Sequence, residues 1–176
     1  MTSSSDTTLG PLGTSEHASR VGANLHVRPS GVGLRIGIAC GTFNGGVTNR
    51  LLDGVLVALK ESGVARDDIT VAWAPGAFEL PLVAQRFATM GADAVICLGA
   101  VIRGDTPHFE YVAGECAAGI TRVSLDTSTP VIFGVLTVDT VDQALERCQE
   151  GPTNKGYEAG VTAVEMVTLL RRPEMR

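Results

Sequence analysis

What this sequence lacks narrows its reading first. Aromatic residues make up only 5% of the chain, so each one near a strand end is more informative than usual. The four cysteines, Cys40, Cys97, Cys116 and Cys148, form no CxxC pair, and two of them fall in expected buried strands. That pattern argues against a zinc site or a disulfide framework and for the reduced thiols of a cytoplasmic protein. Long hydrophobic runs are missing too. The longest uncharged apolar stretch, Ala94 to Ile102, falls far short of the roughly 18 residues of a membrane span. The N-terminus has neither the basic start nor the apolar centre of a signal peptide, so a soluble chain with no membrane partner is expected. Positive charge is neither in excess nor clustered: the net charge is -5, which argues against a nucleic-acid partner. Four motifs are also absent: a GxGxxG after the first strand, a GxxxxGK[ST] loop, an HExxH helix and a serine elbow.

What is present suits one well-buried core: 176 residues, 44% of them hydrophobic, make a single domain over about 31–176. Residues 1 to about 30 are rich in Ser, Thr, Gly and charge without apolar periodicity, the composition of a disordered tail. Its histidines, His17 and His26, are too isolated for a metal site, and no metal is expected elsewhere. The end of this tail, Asn24 to Val32, could pair with the sheet edge of a neighbouring chain.

Leu34 to Cys40 reads as a first strand, running into the small, polar loop Gly41-Thr-Phe-Asn-Gly-Gly46. A helix follows, with Leu51, Leu52, Val55, Leu56 and Leu59 at helical spacing and Gly63 as the residue after its end. Phe43 lies outside that stripe; its ring serves either ordinary packing or a ligand or partner contact. Ile69 to Ala74 is a second strand, and Pro75 to Pro81 turns the chain into a helix ending at Met90-Gly91. Glu79 in this turn is either a helix-dipole carboxylate or an acceptor for ligand hydroxyls. Pro130 to Thr137 is the fourth strand, and the period places Phe133 in its core unless a sheet edge or subunit contact exposes it. Thr140 and Gln143 form a capping box opening a helix that ends near Arg147, and a last helix runs to about Arg172 with Val161, Val164, Val167 and Leu169 among its apolar positions.

The third strand, Ala94 to Leu98, leads through a turn bracketed by Gly99 and Gly104 into a helix, with Asp105 or Thr106 as N-cap and Pro107 in its first turn. Free amides and the positive end of the dipole there suit an anion, phosphate above all, although Asp105 is itself negative. His108 either caps this helix or moves protons beside the anion, since imidazole gives and takes a proton near neutrality. Alternating strands and helices predict an α/β fold: a three-layer α/β/α sandwich with a four-stranded, mainly parallel, flavodoxin-like sheet. Ligands bind such sheets at the carboxyl ends of the strands, where Phe43, Ala77 to Glu79 and Ala100 to His108 converge from three strands. A mononucleotide held by Thr42, Asn44 and Thr48 stays open on this evidence.

Gly99-Ala-Val-Ile-Arg-Gly-Asp-Thr-Pro-His-Phe-Glu-Tyr-Val112, Pro75-Gly-Ala-Phe-Glu-Leu-Pro81, Phe43-Asn44, Phe133-Gly-Val-Leu-Thr137 and Asn154-Lys-Gly156, taken together, strongly resemble the lumazine synthase family. The resemblance runs in order from about Leu34 to the C-terminus. It implies the penultimate step of riboflavin synthesis, a transferase reaction of two small-molecule substrates that needs no metal and no cofactor. By resemblance, Phe43 stacks on the pyrimidine ring of the amine substrate. Ala77, Phe78 and Glu79 line its ribityl chain, and Ala100, Val101 and Ile102 offer backbone to its uracil edge. Asp105 and Thr106, with Arg147 as a clamp and Lys155 as added positive charge, hold the phosphate of the second substrate, and His108 shuttles protons. The resemblance further implies a pentamer with Phe133 and Arg147 contributed across the subunit interface. Some relatives close twelve pentamers into an icosahedral shell, which the short Arg147 to Lys155 link permits here. Two other classes stay open beside the enzyme: a flavin-binding module and a shell-forming scaffold without catalysis.

Overall fold

The computed structural model describes residue 25 and residues 28–175. His17, His26 and nearly all of the expected tail lie outside the described residues. Gly31 already belongs to the folded body, since its amide donates to the Ser62 carbonyl at 2.7 Å.

Four strands, β1 (Ile36–Gly41), β2 (Ile69–Ala74), β3 (Ala94–Ile102) and β4 (Val131–Val138), form one sheet in the order β2-β1-β3-β4, with every pairing parallel. The expected sheet was mainly parallel; here it is wholly so. Parallel strands are linked by helices that cover both faces, so the central pair is sealed from water. Every residue of β1 is buried, as are all but the last of β3.

The period of two sorts those side chains into two cores. Ile36, Ile38 and Cys40 of β1 and Ile96 and Leu98 of β3 meet α1 (Gly45–Glu61) and α5 (Lys155–Leu170), with the short α4 (Val141–Arg147) beside them. Ala39, Val95 and Cys97 turn the other way, onto α2 (Leu80–Thr89) and α3 (His108–Thr127). The result is the expected three-layer sandwich.

Helix α1 buries Leu51, Val55, Ala58 and Leu59, while Leu56 of the expected stripe is exposed. On α5 the correction is larger. Its buried positions are Gly156, Ala159, Gly160, Ala163, Val164 and Val167, and Val161 and Leu169 are only half-buried. Small residues line the seam because α1 and α5 approach backbone to backbone: a β-carbon on Gly156 would overlap the Leu51 carbonyl, and one on Gly160 would come within 2.8 Å of Ala58. The buried Asn154 fastens the same seam. Its carbonyl oxygen accepts from the Gly156 amide at 2.7 Å as the cap of α5, and its amide donates to Arg50 of α1 at 3.1 Å.

Three boundaries differ from the sequence expectation. Gly45 and Gly46 open α1 rather than belonging to the loop before it. Gly99 does not end β3, which continues to Ile102 because β4 pairs with it as far as Val138. Pro107, rather than Asp105 or Thr106, is the N-cap of α3, and no side chain caps that helix. Thr140 caps α4 as expected, its hydroxyl accepting from the Gln143 amide at 3.2 Å, but the Gln143 side chain does not return to Thr140: it accepts from the amide of Asp139, one residue ahead of the cap, at 2.8 Å.

Candidate active site

Strand β3 is longer than its neighbour. Its pairing with β1 ends at Leu98, so from Gly99 to Ile102 no strand flanks it on that side. Backbone groups alternate sides along a strand. Val95 and Arg103 donate to Pro130 and Val138, on the β4 side, so the even-numbered Ala100 and Ile102 turn their amide and carbonyl groups to the side β1 leaves open. One of these groups is already used: the Ala100 carbonyl accepts from the Asn44 side-chain amide at 2.9 Å.

The loop after β1 is held from its other flank as well. Thr42 and Phe43 donate their amides to Ala74, the last residue of β2, at 2.8 Å and to Pro75 at 3.1 Å, which ties the loop to the end of β2. The Phe43 backbone is thus fixed while its ring stands 72% exposed, too bare for a core residue.

Next comes the turn Ala77–Glu79, one tight helical turn ahead of α2. Ala77 is buried beneath it, while Phe78 and Glu79 face outward. The Glu79 carboxylate lies above Gly76, where a β-carbon would sit 3.2 Å from its oxygen. Pro81 stands at the start of α2, where its missing N–H leaves no bond unmade.

These loops and the start of α3 enclose a cavity of about 650 Å³. Phe43, Ala77, Phe78, Glu79, Ala100, Val101, Ile102, Thr106 and His108 all line it, so nine of the sequence-expected site residues come together. His108 is the first residue of α3 and is exposed to the cavity. Asn44, Phe109 and Tyr111 line it too; Asn44 was expected only as a contact of a mononucleotide, and Phe109 and Tyr111, inside the central motif, were not singled out.

Four expected residues do not line it. Asp105 is exposed on the loop before α3, outside the lining. Phe133 sits on the edge strand β4 and is 42% exposed, so it is not the core residue that its period suggests. Arg147 ends α4 and donates to the Gln143 carbonyl at 3.0 Å. Lys155 opens α5, with its ammonium 2.8 Å from Glu158. A second hollow of about 810 Å³, between α1 and the start of α5, is bordered by Arg50, Glu61, Asn154 and Tyr157 and holds none of the expected site residues.

Charge near the cavity is organised by Arg103. Its guanidinium pairs with Glu110 at 2.5 Å and Asp139 at 2.7 Å, which raises its own pKa further and holds the Glu110 carboxyl below the usual range. The thiols stand apart. Burial pushes Cys40 up to about 12 and Cys116 up to about 11, and raises Cys97 more, so none is a ready nucleophile. Among the described residues no cluster of His, Cys, Asp and Glu is arranged to hold a metal ion, and no helix is long and apolar enough to cross a membrane.

An aromatic ring, a carboxylate and an imidazole thus face one cavity at the carboxyl ends of parallel strands, an arrangement suited to binding a polar ring compound and moving protons on it. The family model for 6,7-dimethyl-8-ribityllumazine synthase matches residues 33–171, from just before β1 to just past α5. That family works in riboflavin biosynthesis as a transferase acting on small molecules and assembles into oligomers. With the match spanning every strand and helix that builds the cavity, the chain belongs to the 6,7-dimethyl-8-ribityllumazine synthase family.

Proposed function

We propose that the protein condenses 5-amino-6-(D-ribitylamino)uracil with 3,4-dihydroxy-2-butanone 4-phosphate, giving 6,7-dimethyl-8-ribityllumazine, phosphate and water. The observation that carries this reading is the single cavity collecting Phe43, Glu79, Thr106 and His108 from the ends of three adjacent strands.

In this reading the exposed Phe43 ring stacks on the pyrimidine. Glu79, with Ala77 and Phe78 beside it, accepts hydrogen bonds from the ribityl hydroxyls. Because the Ala100 carbonyl is engaged by Asn44 and Val101 turns to β4, the uracil edge is read by the open Ala100 amide and the backbone of Ile102. The butanone phosphate sits at the turn before α3, against the amides of Asp105 and Thr106 and the positive end of a 20-residue helix.

The chemistry follows from that placement. The substrate amine attacks the ketone carbon, a proton passes from nitrogen to oxygen, and that oxygen leaves as water to give an imine. Loss of a proton from C3 then expels the phosphate with the electron pair of its C–O bond, and the enol left behind becomes a ketone. The ribitylamino nitrogen attacks that carbonyl, whose oxygen leaves as a second water as the ring closes. His108 gives and takes the protons. The condensation calls for no external oxidant or reductant, so the reading assigns no cofactor or metal. Holding two substrates in attack geometry supplies much of the rate.

One subunit holds only part of this machinery. Phe133, Arg147 and Lys155 are exposed, and none lines the cavity of its own chain. We assign them to a neighbour's cavity in a homo-pentamer, with Arg147 clamping the phosphate and Lys155 adding charge. The link from Arg147 to Lys155 is short enough for twelve pentamers to close into a shell.

The test mixes purified protein with both substrates and follows lumazine absorbance and fluorescence against a His108→Ala control. Product formed faster than the spontaneous reaction is expected. No acceleration, with riboflavin or the pyrimidine still bound, would replace the enzyme by a flavin-binding module.

A further inference from the structure

We propose that Arg103 is a positioning residue: it fixes the loop carrying Thr106 and His108 in working geometry and does not itself bind the substrate phosphate. The inference rests on the reading of the site given above and names a residue that the reading leaves without a role.

Arg103 is the first residue beyond β3, and its amide donates to Val138 at 2.9 Å, so β4 fixes its backbone. From that anchor its side chain reaches two further elements. Nε donates to Asp139 Oδ1 at 2.7 Å, at the turn between β4 and α4. Nη1 donates to Glu110 Oε1 at 2.5 Å, in the first turn of α3. The guanidinium carbon lies 4.1 Å from the centre of the Phe109 ring, which lines the cavity. One cation therefore joins the end of β3, the start of α3 and the β4–α4 turn.

The loop has few other restraints. Helix α3 begins at His108, and its N-cap, Pro107, supplies no side-chain cap; a β-carbon on Gly104 would meet nothing within 4 Å. Residues 104 to 107 bridge two points that Arg103 ties together, and His108 is two positions from Glu110.

Two carboxylates against one guanidinium leave the cluster with net negative charge, and a ring covers one face of the cation. It is poorly placed to clamp an incoming dianion. Lysine could not substitute, because a single ammonium cannot fork to two carboxylates while lying flat on a ring. The side chains of Arg103, Glu110 and Asp139 are 44% to 64% exposed, so these pairs add little to global stability. Their effect is geometric, and a reacting group displaced by about 1 Å can cost up to about 100-fold in rate.

The experiment compares Arg103→Gln, Arg103→Lys, Asp139→Asn and the Arg103→Gln/Asp139→Asn double variant with the wild-type protein. It reads kcat and KM for each substrate, thermal unfolding, and amide hydrogen exchange from Gly104 to Phe109 without substrate. Arg103→Gln should lower kcat about tenfold or more, leave the amine KM within about twofold and speed exchange in the loop, with little change in unfolding temperature. Arg103→Lys should not rescue it. Asp139→Asn should act in the same direction and more weakly, and the double variant should be no worse than Arg103→Gln alone. Unchanged kcat and exchange in Arg103→Gln would overturn the proposal. So would a lower phosphate-substrate KM in Asp139→Asn, since that result would reveal a phosphate ligand held back by its carboxylate. If the wild-type protein turns over neither substrate, the functional reading falls, and the exchange comparison still decides the role of Arg103.

Discussion

The side-chain amide of Asn44 donates to the carbonyl of Ala100 at 2.9 Å, joining the loop after β1 to the free edge of β3 across 56 residues of chain. Asn44 makes this bond from a left-handed backbone, φ 58° and ψ 35°, one of two such non-glycine residues among those described. Asparagine tolerates that conformation better than most side chains, and here it also aims the amide.

Two substitutions separate these contributions. Asn44→Gly keeps the backbone and loses the bond; Asn44→Ala loses the bond and adds strain of about 1–2 kcal/mol. Urea unfolding should rank wild type first, glycine second and alanine last, and both variants should raise the KM for the amine substrate because Phe43 is released. Equal stability of the two variants would contradict the strain.

His108→Ala should slow turnover by about 100-fold without abolishing it, because positioning of the two substrates survives the loss of the proton carrier. Steady-state rates set against the spontaneous reaction give the answer. Complete loss of rate with both substrates still bound would mean that His108 does more than move protons.

Arg147→Ala should raise the KM for the phosphate substrate far more than that for the amine. The proposed sharing of the site between subunits is checked more sharply by co-expressing His108→Ala with Arg147→Ala. In randomly mixed rings about a quarter of the interfaces join an intact His108 to an intact Arg147, so about a quarter of wild-type activity should return. If both residues serve the same chain's cavity, mixing restores nothing.

The α1–α5 seam was only partly legible in the sequence. Leu51, Val55 and Leu59 announce α1 by their spacing, but on α5 only Val164 and Val167 of the expected residues are buried, beside glycines and alanines that hydrophobic periodicity does not see. The cavity was more legible because its residues stand in a few short motifs at strand ends. Phe133 was ambiguous for a physical reason: β4 is an edge strand, and alternation cannot tell a core face from an interface. The length of β3 was also hidden, since Gly99 reads as a stop and only pairing with β4 carries the strand to Ile102. Arg103 lies inside the central motif, yet its three partners come from α3 and the turn after β4, a meeting that only the fold reveals.

Gly156→Ala is the most damaging small substitution expected at that seam. Its methyl group would overlap the Leu51 carbonyl, and neither backbone can move without opening the core, so a loss of about 3 kcal/mol or more is expected. Thermal unfolding measures it. A variant as stable as wild type would mean that the helices can slide apart freely.

Alkaline pH should weaken the fold through the buried thiols. Each is held protonated, with its native pKa raised from 9.0 by burial: Cys40 to about 12 and Cys116 to about 11, with Cys97 shifted further. A raised folded pKa contributes stability fully present below the unfolded value and lost as pH rises through the folded one. Stability should therefore decline from about pH 9 to about pH 12, and Cys40→Ser/Cys97→Ser/Cys116→Ala should flatten that decline. Thiol alkylation at neutral pH should stay slow until the protein unfolds.

The seam also orders events during synthesis. Strands β1 and β2 and helix α1 are complete by Ala74, yet the face that α1 turns toward α5 has no cover until the chain has been made as far as Leu170. A nascent chain halted ahead of Lys155 would carry Leu51, Val55 and Leu59 with one wall of their core missing, an exposed surface of the kind that chaperones recognise. The last helix is in this sense the latch of the domain, and its release from the ribosome is the moment at which the first helix can finally be buried.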